Sequence, residues 1–344
     1  MKSQLKVYVA QDHYLVAELD EVAAALAAGG WEVVRGPQSR PGVRVQLSAD
    51  QRAAYLADID VMVISSRSKV HRDDLEYSER LRAVMFPTIG VDAVDLADCN
   101  ELGLVVGHGP TPENFQSMAE ATCMLILASL YNLQLSEKVL RQNLPRPAAP
   151  PARMLKGKTI GLLGLGRIGA AVLERLRPWG VSFQVHDPFL ASGQAPADAE
   201  LVDMDTLLAT SDVVSLHVPY NANNHRLIGE AELRRMKGDA VLVNTSRGGL
   251  VDENALYRIM TDGHLLAAAL DVSEIEPLPA DSPLRKLDRV ILTPHMVGHT
   301  KEIFDQIAPT LIENLRLVGE GDSPVYVRNP EVMDKWQARL SDIG

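Results

Sequence analysis

Three side chains that could bind an anion or transfer a proton lie in the second half of the chain, each a few residues beyond a short apolar run. They are Arg247, Glu276 and His295. Runs of this kind are typical of strands buried in a parallel sheet, and the carboxyl ends of such strands meet at one edge. Singly, each residue has a plainer interpretation, because surface arginines and structural histidines are common and Glu276 before Pro277 could form an ordinary turn. Together they predict one polar cluster.

A guanidinium, a carboxylate and an imidazole in one crevice are the groups that reduction of a 2-oxo acid requires. The guanidinium fork of Arg247 would bind the substrate carboxylate or carbonyl oxygen through paired hydrogen bonds. The imidazolium of His295 would donate a proton as hydride reaches the carbonyl carbon, an effect worth roughly 10²–10⁴-fold. Glu276 against the other ring nitrogen would fix the tautomer and favour the charged ring. These residue types therefore favour hydride-transfer chemistry.

A glycine-rich stretch precedes this cluster in the chain and predicts a dinucleotide site. Gly164, Gly166 and Gly169 follow an apolar run and fit the pattern G-x-G-x-x-G. The first glycine permits a tight turn, the second lets a pyrophosphate approach the backbone, and the third lets helix pack on strand. The N–H groups at the helix start, at Arg167 and Ile168, would face the phosphates.

An acidic residue at the end of the next strand-like run supports a nucleotide. Asp187 stands 18 residues after Gly169, where a βαβ unit places the carboxylate that binds the adenosine ribose. A 2′-phosphate about 4 Å from that carboxylate would suffer roughly 4 kcal/mol of repulsion, or about a thousand-fold in affinity. Pro188 and Phe189 supply no compensating cation. The sequence therefore predicts NAD rather than NADP, although Asp187 beside Pro188 is also compatible with a plain turn.

The rest of the chain alternates strand-like and helix-like segments, which predicts an α/β protein with two doubly wound parallel-sheet domains. Strand-like runs occur at 5–10, 31–35, 61–64, 82–86, 104–106, 158–163, 181–187, 213–216, 240–244, 266–270 and 290–293. Helices are predicted at 15–28, 115–142, 253–262 and 301–317. The helix at 115–142 is long enough to bridge two domains, and the last one could return to the first domain. The proline-rich segment 145–151 predicts a stiff connector.

Composition narrows the class of protein. The 344 residues carry 34 basic and 45 acidic side chains, a net charge of −11, without a basic cluster, so a nucleic-acid partner is not expected. No apolar run reaches 18 residues and no signal-peptide core is visible, so no membrane partner is expected. The two cysteines suit a reducing compartment. The expectation is a cytoplasmic protein that acts on a small molecule and needs no metal.

With these motifs in view, the chain resembles the D-isomer-specific 2-hydroxyacid dehydrogenases over nearly its whole length. The motifs that carry the resemblance lie at 157–169, 217–219, 244–248, 269–279 and 293–298. The resemblance implies that Arg247 binds substrate, that His295 is the acid/base and that Glu276 supports it. It further implies a Rossmann NAD-binding domain at 108–295, a flavodoxin-like substrate domain built from 1–107 and 296–344, and a homodimer joined through the cofactor domain.

The resemblance also implies contacts to cofactor and substrate. Asp271 resembles the carboxylate that binds the nicotinamide amide, and the backbone of Ile89 and Gly90 matches the donors to the substrate carboxylate. The family often has a threonine where this chain has Asn224, which can still donate near the phosphates. The expected cofactor set is Gly164, Gly166, Arg167, Ile168, Gly169, Asp187, Pro188, His217, Val218, Pro219, Asn224, Thr245, Ser246, Asp271 and Gly298. The expected substrate set is Ser68, Lys69, Ile89 and Gly90.

Several substrates and one other class of function stay open. Phe86 and Thr88 stand where phosphoglycerate-type members tend to carry Arg and Gly, which favours glyoxylate or hydroxypyruvate, although Arg67 or Lys69 could bind a phosphate instead. D-3-phosphoglycerate dehydrogenase is therefore the alternative enzyme. A non-metabolic, NAD-sensing corepressor-like protein can retain the same three residues. Formate dehydrogenase is a weaker match, because its acid/base partner is Gln rather than Glu.

Overall fold

The computed structural model describes residues 4–147, 152–191 and 193–343, which divide into two compact units. One unit consists of the residues up to Glu113 together with those from Thr300 onward, and the other is Asn114–His299. Part of the predicted proline-rich connector, at 148–151, and the extreme ends of the predicted substrate domain, at 1–3 and 344, lie outside the described residues. Each unit contains one sheet whose strands are all parallel. The prediction of two parallel α/β domains is confirmed.

Twelve strands and twelve α-helices form these units within the residues that the structure describes. The strands are β1 (Lys6–Gln11), β2 (Glu32–Gln38), β3 (Val61–Val63), β4 (Ala83–Met85), β5 (Val105–Gly107), β6 (Thr159–Leu163), β7 (Ser182–His186), β8 (Ala199–Leu201), β9 (Val213–Leu216), β10 (Val241–Asn244), β11 (Ala267–Leu270) and β12 (Val290–Leu292). The helices are α1 (Val16–Ala28), α2 (Ala49–Tyr55), α3 (Arg72–Leu75), α4 (Leu96–Glu101), α5 (Pro112–Leu130), α6 (Leu133–Arg141), α7 (Arg167–Leu176), α8 (Met204–Thr210), α9 (Glu230–Arg235), α10 (Glu253–Thr261), α11 (Lys301–Glu320) and α12 (Met333–Ile343).

The first unit has the strand order β2-β1-β3-β4-β5, which is the flavodoxin-like order. Side chains alternate between the two faces of a strand, and both faces of this sheet are apolar. On β3, Val61 and Val63 join the core on one face, whereas Met62 joins the core on the other. The strand therefore appears in the sequence as a continuous apolar run.

The C-terminal part of the chain returns to complete this first unit, as the position of the last predicted helix indicated. Helix α11 packs against α1. Helix α12, which follows α11, was not predicted from the sequence. Trp336 on α12 is fully buried, and its indole N–H donates to the carbonyl of Arg82 at 2.9 Å. The buried side chain of Asn329 accepts a hydrogen bond from the N–H of Val106 at 2.8 Å. Residues distant in sequence therefore share one core.

The second unit has the strand order β12-β11-β10-β9-β6-β7-β8, which is a Rossmann order extended by one strand. The order reverses between β6 and β9, so the turn after β6 and the segment after β9 flank the crevice where such sheets bind ligands. Strand β8 was not predicted, because Ala199–Leu201 is a short edge strand whose side chains are partly or fully exposed. It lacks the apolar run by which the other strands are recognised.

The prediction of one long helix at 115–142 is wrong. Two helices, α5 and α6, occupy this stretch and meet at an angle of 61°. Asn132 between them adopts φ +49°, a left-handed conformation that ends a helix, and its N–H donates to the carbonyl of Ser129. Among the described residues no single helix has the length and apolar character to cross a bilayer, and only this bent pair, counted as one segment, would meet the criteria of length and composition.

Candidate active site

The glycine turn after β6 has a geometry that only glycine satisfies at two of its three positions. Gly164 has φ +93°, and a Cβ there would lie 2.6 Å from the carbonyl oxygen of His217. A Cβ on Gly169 would lie 2.5 Å from the carbonyl oxygen of Gly164, so helix α7 packs directly on the turn. Gly166 precedes α7 and has open space where a side chain would be. The turn thus exposes the amino end of α7, including Arg167 and Ile168, to a ligand.

Asp187 at the end of β7 is bound to this turn. Its Oδ2 accepts a hydrogen bond from the N–H of Leu165 at 3.0 Å, and its Oδ1 accepts one from the N–H of Phe189 at 3.0 Å. Each carboxylate oxygen has a second lone pair for a ligand hydroxyl. The side chains of Pro188 and Phe189 are exposed beside it. The structure therefore brings the predicted ribose acid and the predicted phosphate turn together.

The segment after β9 lies against the same turn. The N–H of His217 donates to the carbonyl of Leu163 at 2.7 Å, and its Nε2 lies 3.0 Å from the hydroxyl of Ser215. Burial lowers the pKa of His217 to about 4, so its ring is neutral at physiological pH. Val218 is partly buried, with Pro219 exposed next to it.

The side chain of Asn224 is fixed by two hydrogen bonds within its own segment. One hydrogen of its side-chain amide is donated to the carbonyl of Pro219 at 2.7 Å, and its side-chain oxygen accepts from the N–H of Asn221 at 2.7 Å. A second amide hydrogen remains for a ligand. The predicted contact of Asn224 with phosphate therefore stays a prediction.

The loop that carries Arg247 is shaped by a buried asparagine at the end of β10. The side chain of Asn244 donates to the carbonyl of Arg247 at 2.9 Å and accepts from the N–H of Ser246 at 3.0 Å. The hydroxyl of Ser246 also donates to the carbonyl of Leu216 at 2.8 Å. The Thr245 hydroxyl lies 3.1 Å from the hydroxyl of Thr122. Sequence reasoning assigned no role to Asn244, although a polar residue ending an apolar strand is a signal for such a contact.

Asp271, at the end of β11, organises the turn that carries the histidine. This carboxylate is 1% exposed, and its Oδ1 accepts hydrogen bonds from the Thr293 hydroxyl at 2.6 Å and from the N–H groups of Met296 and Val297 at 3.0 and 3.1 Å. The carbonyl of Asp271 accepts from the N–H of His295 at 2.7 Å. His295 adopts φ +55°, an unfavourable conformation for a residue other than glycine, which these surrounding bonds enforce.

His295 and Glu276 form a direct pair. Nδ1 of His295 lies 2.9 Å from Oε2 and 3.1 Å from Oε1 of Glu276, and both side chains are partly open to solvent. Burial raises the pKa of the Glu276 carboxyl. The hydrogen bond and charge of His295, the Ser273 N–H and the charge of Arg247 outweigh burial and hold this pKa below its usual value. Arg247, Glu276 and His295 follow the adjacent strands β10, β11 and β12, so the structure gathers them at one end of the sheet.

Gly298, the last residue of the expected cofactor set, is fixed by α5. Its carbonyl accepts from the Ser117 hydroxyl at 2.7 Å, and a Cβ would lie 2.1 Å from the sulfur of Met118. The second unit therefore contains the whole expected cofactor set, and most of these residues lie at the carboxyl ends of its strands. The glycine turn and Asp187 fit the predicted dinucleotide. Among the residues that the structure describes, no group of three or more His, Cys, Asp or Glu side chains could hold a metal ion.

The four expected substrate residues lie in the first unit, at the carboxyl ends of β3 and β4. Ser68 is buried and Lys69 is exposed. The carbonyl of Ile89 lies 3.0 Å from Nδ1 of His108. The N–H groups of Ile89 and Gly90 form no backbone–backbone hydrogen bond with another described residue, and their predicted contact with substrate stays a prediction.

Comparison with known proteins agrees with this geometry. Residues 123–297 match the family model described as D-isomer specific 2-hydroxyacid dehydrogenase, NAD binding domain. A glyoxylate reductase from Thermofilum pendens is 35% identical over 293 residues, which are 83% of this chain and 86% of that protein. A D-3-phosphoglycerate dehydrogenase from Methanocaldococcus jannaschii is 36% identical over 83% of this chain, which spans only 55% of that longer protein.

Solved structures extend the agreement to both units. The crystal structure of a glyoxylate reductase from Paecilomyes thermophila has a TM-score of 0.83 and 26% identity, covering 96% of this chain and 99% of that one. Family model, sequence relatives and fold all identify the same group of NAD-dependent oxidoreductases. The chain therefore belongs to the D-isomer specific 2-hydroxyacid dehydrogenase family.

Proposed function

We propose that this protein interconverts a small 2-oxo acid and the corresponding D-2-hydroxy acid with NAD(H), and that glyoxylate or hydroxypyruvate is the substrate. The observation that carries the proposal is the His295–Glu276 pair, 2.9 Å apart and one strand away from the loop of Arg247. Relatives named glyoxylate reductase and hydroxypyruvate reductase support the choice of substrate. In this assignment the unit Asn114–His299 binds the cofactor, and the unit built from both chain ends binds substrate.

The chain's own residues would supply proton transfer and orientation, while bound NADH would supply the hydride. Glu276 engages Nδ1 of His295, so Nε2 is the nitrogen that presents the proton to the substrate oxygen. The guanidinium of Arg247 would bind the substrate carboxylate or carbonyl oxygen in a bidentate way. The N–H groups of Ile89 and Gly90 would bind the substrate carboxylate.

The cofactor preference follows from Asp187. Its carboxylate lies at the end of β7 and is tied to the glycine turn through Leu165, the position expected for a ribose-binding acid. A phosphate on that ribose would meet a negative charge, and neither Pro188 nor Phe189 offers a cation. We therefore assign NAD(H) as the working cofactor.

The direct test is oxidation of NADH with a panel of glyoxylate, hydroxypyruvate, pyruvate, phenylpyruvate and 3-phosphohydroxypyruvate. We expect kcat/KM to be highest for glyoxylate or hydroxypyruvate. Turnover that prefers phenylpyruvate or pyruvate would overturn the substrate assignment. Binding of NADH without turnover of any panel member would instead favour an NAD-sensing binding protein.

D-3-phosphoglycerate dehydrogenase is the second candidate, and one observation favours it. Arg67, just beyond β3, lies with its guanidinium 4.9 Å from the ring centroid of Tyr14, and the ammonium-bearing Lys69 follows it. Two cations in this loop could bind a phosphate. A preference for 3-phosphohydroxypyruvate that is lost on Arg67→Gln, with glyoxylate turnover retained, would select this candidate.

We also infer a homodimer formed through the cofactor-binding unit. Helix α6 contains no buried residue, yet it presents Leu133 and Leu140, which are 60% and 83% exposed. Apolar side chains this exposed on an amphipathic helix indicate a protein contact, and most oligomers are symmetric pairs of one chain. Light scattering should give twice the monomer mass for the wild type and the monomer mass for Leu140→Glu. A monomeric wild type would refute the inference.

A further inference from the structure

The peptide between Ser273 and Glu274 belongs to the loop that carries Glu276 and packs against the loop that carries Arg247. A Cβ on Gly248 would lie 1.9 Å from the carbonyl carbon of Ser273 and 2.4 Å from the nitrogen of Glu274. The backbone just after Arg247 therefore packs directly on the backbone that leads to Glu276. Any shift of this peptide would move Glu276 relative to Arg247.

Glu253, the first residue of α10, holds this peptide from the other direction. Its Oε1 accepts the N–H of Glu274 at 2.7 Å. The side chain of Glu274 is engaged separately, because Arg226 donates to it at 3.3 Å and His225 lies 3.8 Å from it. Glu253 thus binds the backbone of the loop, whereas Arg226 binds the side chain of Glu274.

The charged neighbours that affect the pKa of Glu253 are negative. Burial raises the pKa of Glu253, and the negative charges of Glu274, Asp252 and Glu276 raise it further, against the opposing effect of the Glu274 N–H. Arg226 faces Glu274 and Asp252 rather than Glu253.

We propose that Glu253 is a positioning residue for the acid/base pair: it holds the Ser273–Glu274 peptide against Gly248 and thereby fixes the loop that carries Glu276. The catalytic role of Glu253 rests on the proposed function, whereas its contact with the loop can be tested without turnover. A purely structural alternative exists, since an acid in the first turn of a helix stabilises that helix. The two roles of Glu253 can be separated, because Gln keeps the acceptor oxygen and removes the charge.

The first experiment is amide hydrogen exchange in the protein without cofactor, followed by NMR at the N–H of Glu274. Glu253→Ala should raise the exchange rate of this amide at least about tenfold, because the N–H loses its acceptor, whereas Glu253→Gln keeps an acceptor oxygen and should stay close to wild type. Glu200→Ala, on the edge strand β8, should leave the exchange rate of the Glu274 amide unchanged. Equal exchange rates in Glu253→Ala and wild type would overturn the positioning role.

The second experiment separates positioning from charge through kinetics. Glu253→Ala should lower kcat at least about tenfold with KM for NADH unchanged, because the loop that carries Glu276 loses its anchor. Glu253→Gln should retain most of kcat, because Gln keeps an acceptor oxygen for the N–H of Glu274. If Glu253→Ala lowers the melting temperature but leaves kcat intact, Glu253 is only a helix-capping acid and the positioning role is refuted. Failure of the proposed function would appear differently, as a wild type without turnover in which Glu253→Ala still raises the exchange rate of the Glu274 amide.

Discussion

Nδ1 of His295 lies 2.9 Å from Oε2 of Glu276, although 19 residues separate them in the chain. The pair forms because β11 and β12 are adjacent parallel strands that end at the same edge of the sheet. Asp271 adds a second constraint by accepting the N–H of His295 through its carbonyl. His295 is therefore held through Nδ1 of its ring and through its backbone N–H, which leaves Nε2 for substrate.

Removal of the imidazole should abolish most turnover. We expect His295→Gln to lower kcat for glyoxylate reduction by at least about a hundred-fold, since general acid catalysis contributes that much. The dissociation constant for NADH should change little, because the ring is not part of the glycine turn. Fluorescence titration of NADH and steady-state kinetics give the two values, and unchanged turnover would remove His295 from the mechanism.

The pH profile should change when Glu276 loses its charge. The carboxylate favours the protonated ring, so Glu276→Gln should shift the alkaline limb of the reduction profile to lower pH. The sign follows from the pKa of Glu276, which interaction with His295 holds below its usual value and which shows that the two charged forms stabilise each other. The activity ratio of variant to wild type should therefore fall as pH rises along the alkaline limb. A constant ratio would contradict the coupling.

Arg247 should tolerate no other cation. Arg247→Lys retains the charge but loses the planar fork, so KM for the 2-oxo acid should rise by at least about tenfold. Arg235→Lys, at a surface pair with Asp205, is the matched control and should leave KM unchanged. If Arg247→Lys behaves like wild type, another residue binds the substrate carboxylate.

Asp187 should set the choice between NADH and NADPH. Asp187→Asn keeps an oxygen that can accept the Leu165 N–H but removes the charge, so the preference for NADH should narrow by up to about a thousand-fold. The measurement is kcat/KM for each cofactor, with Asp205→Asn as a surface control. An unaltered ratio would refute the ribose assignment.

Asp212 should contribute stability that depends on pH. Burial raises its pKa, but the Thr159 N–H, Lys237 and Lys158 outweigh burial and lower the net pKa. A carboxyl whose native pKa is lowered stabilises the fold above its unfolded pKa, near 3.9, and loses that effect as pH falls through the native pKa. Asp212→Asn should thus cost about 1–2 kcal/mol of unfolding free energy at pH 7. Urea unfolding should show the gap closing below about pH 4; a gap that persists would contradict this sign.

The sequence alone determined the kind of chemistry and the fold class. Glycines at fixed spacing, a carboxylate 18 residues later and apolar runs that end in polar residues are local signals, because turn geometry and burial act on neighbouring residues. Strand β8 and the break at Asn132 were not predictable in this way. An exposed edge strand carries no apolar run, and a single left-handed residue between two helical stretches leaves the apolar pattern intact.

Only the tertiary structure decided which groups touch. Three contacts depend on the order and register of the parallel strands. Asp187 binds the N–H of Leu165, Asp271 fixes the turn of His295, and Glu253 anchors the loop of Glu276. Strand order follows from the packing of helices on both faces of the sheet, which involves residues far apart in the chain. A sequence pattern specifies which residues are available for such contacts, whereas the packed sheet specifies their partners and distances.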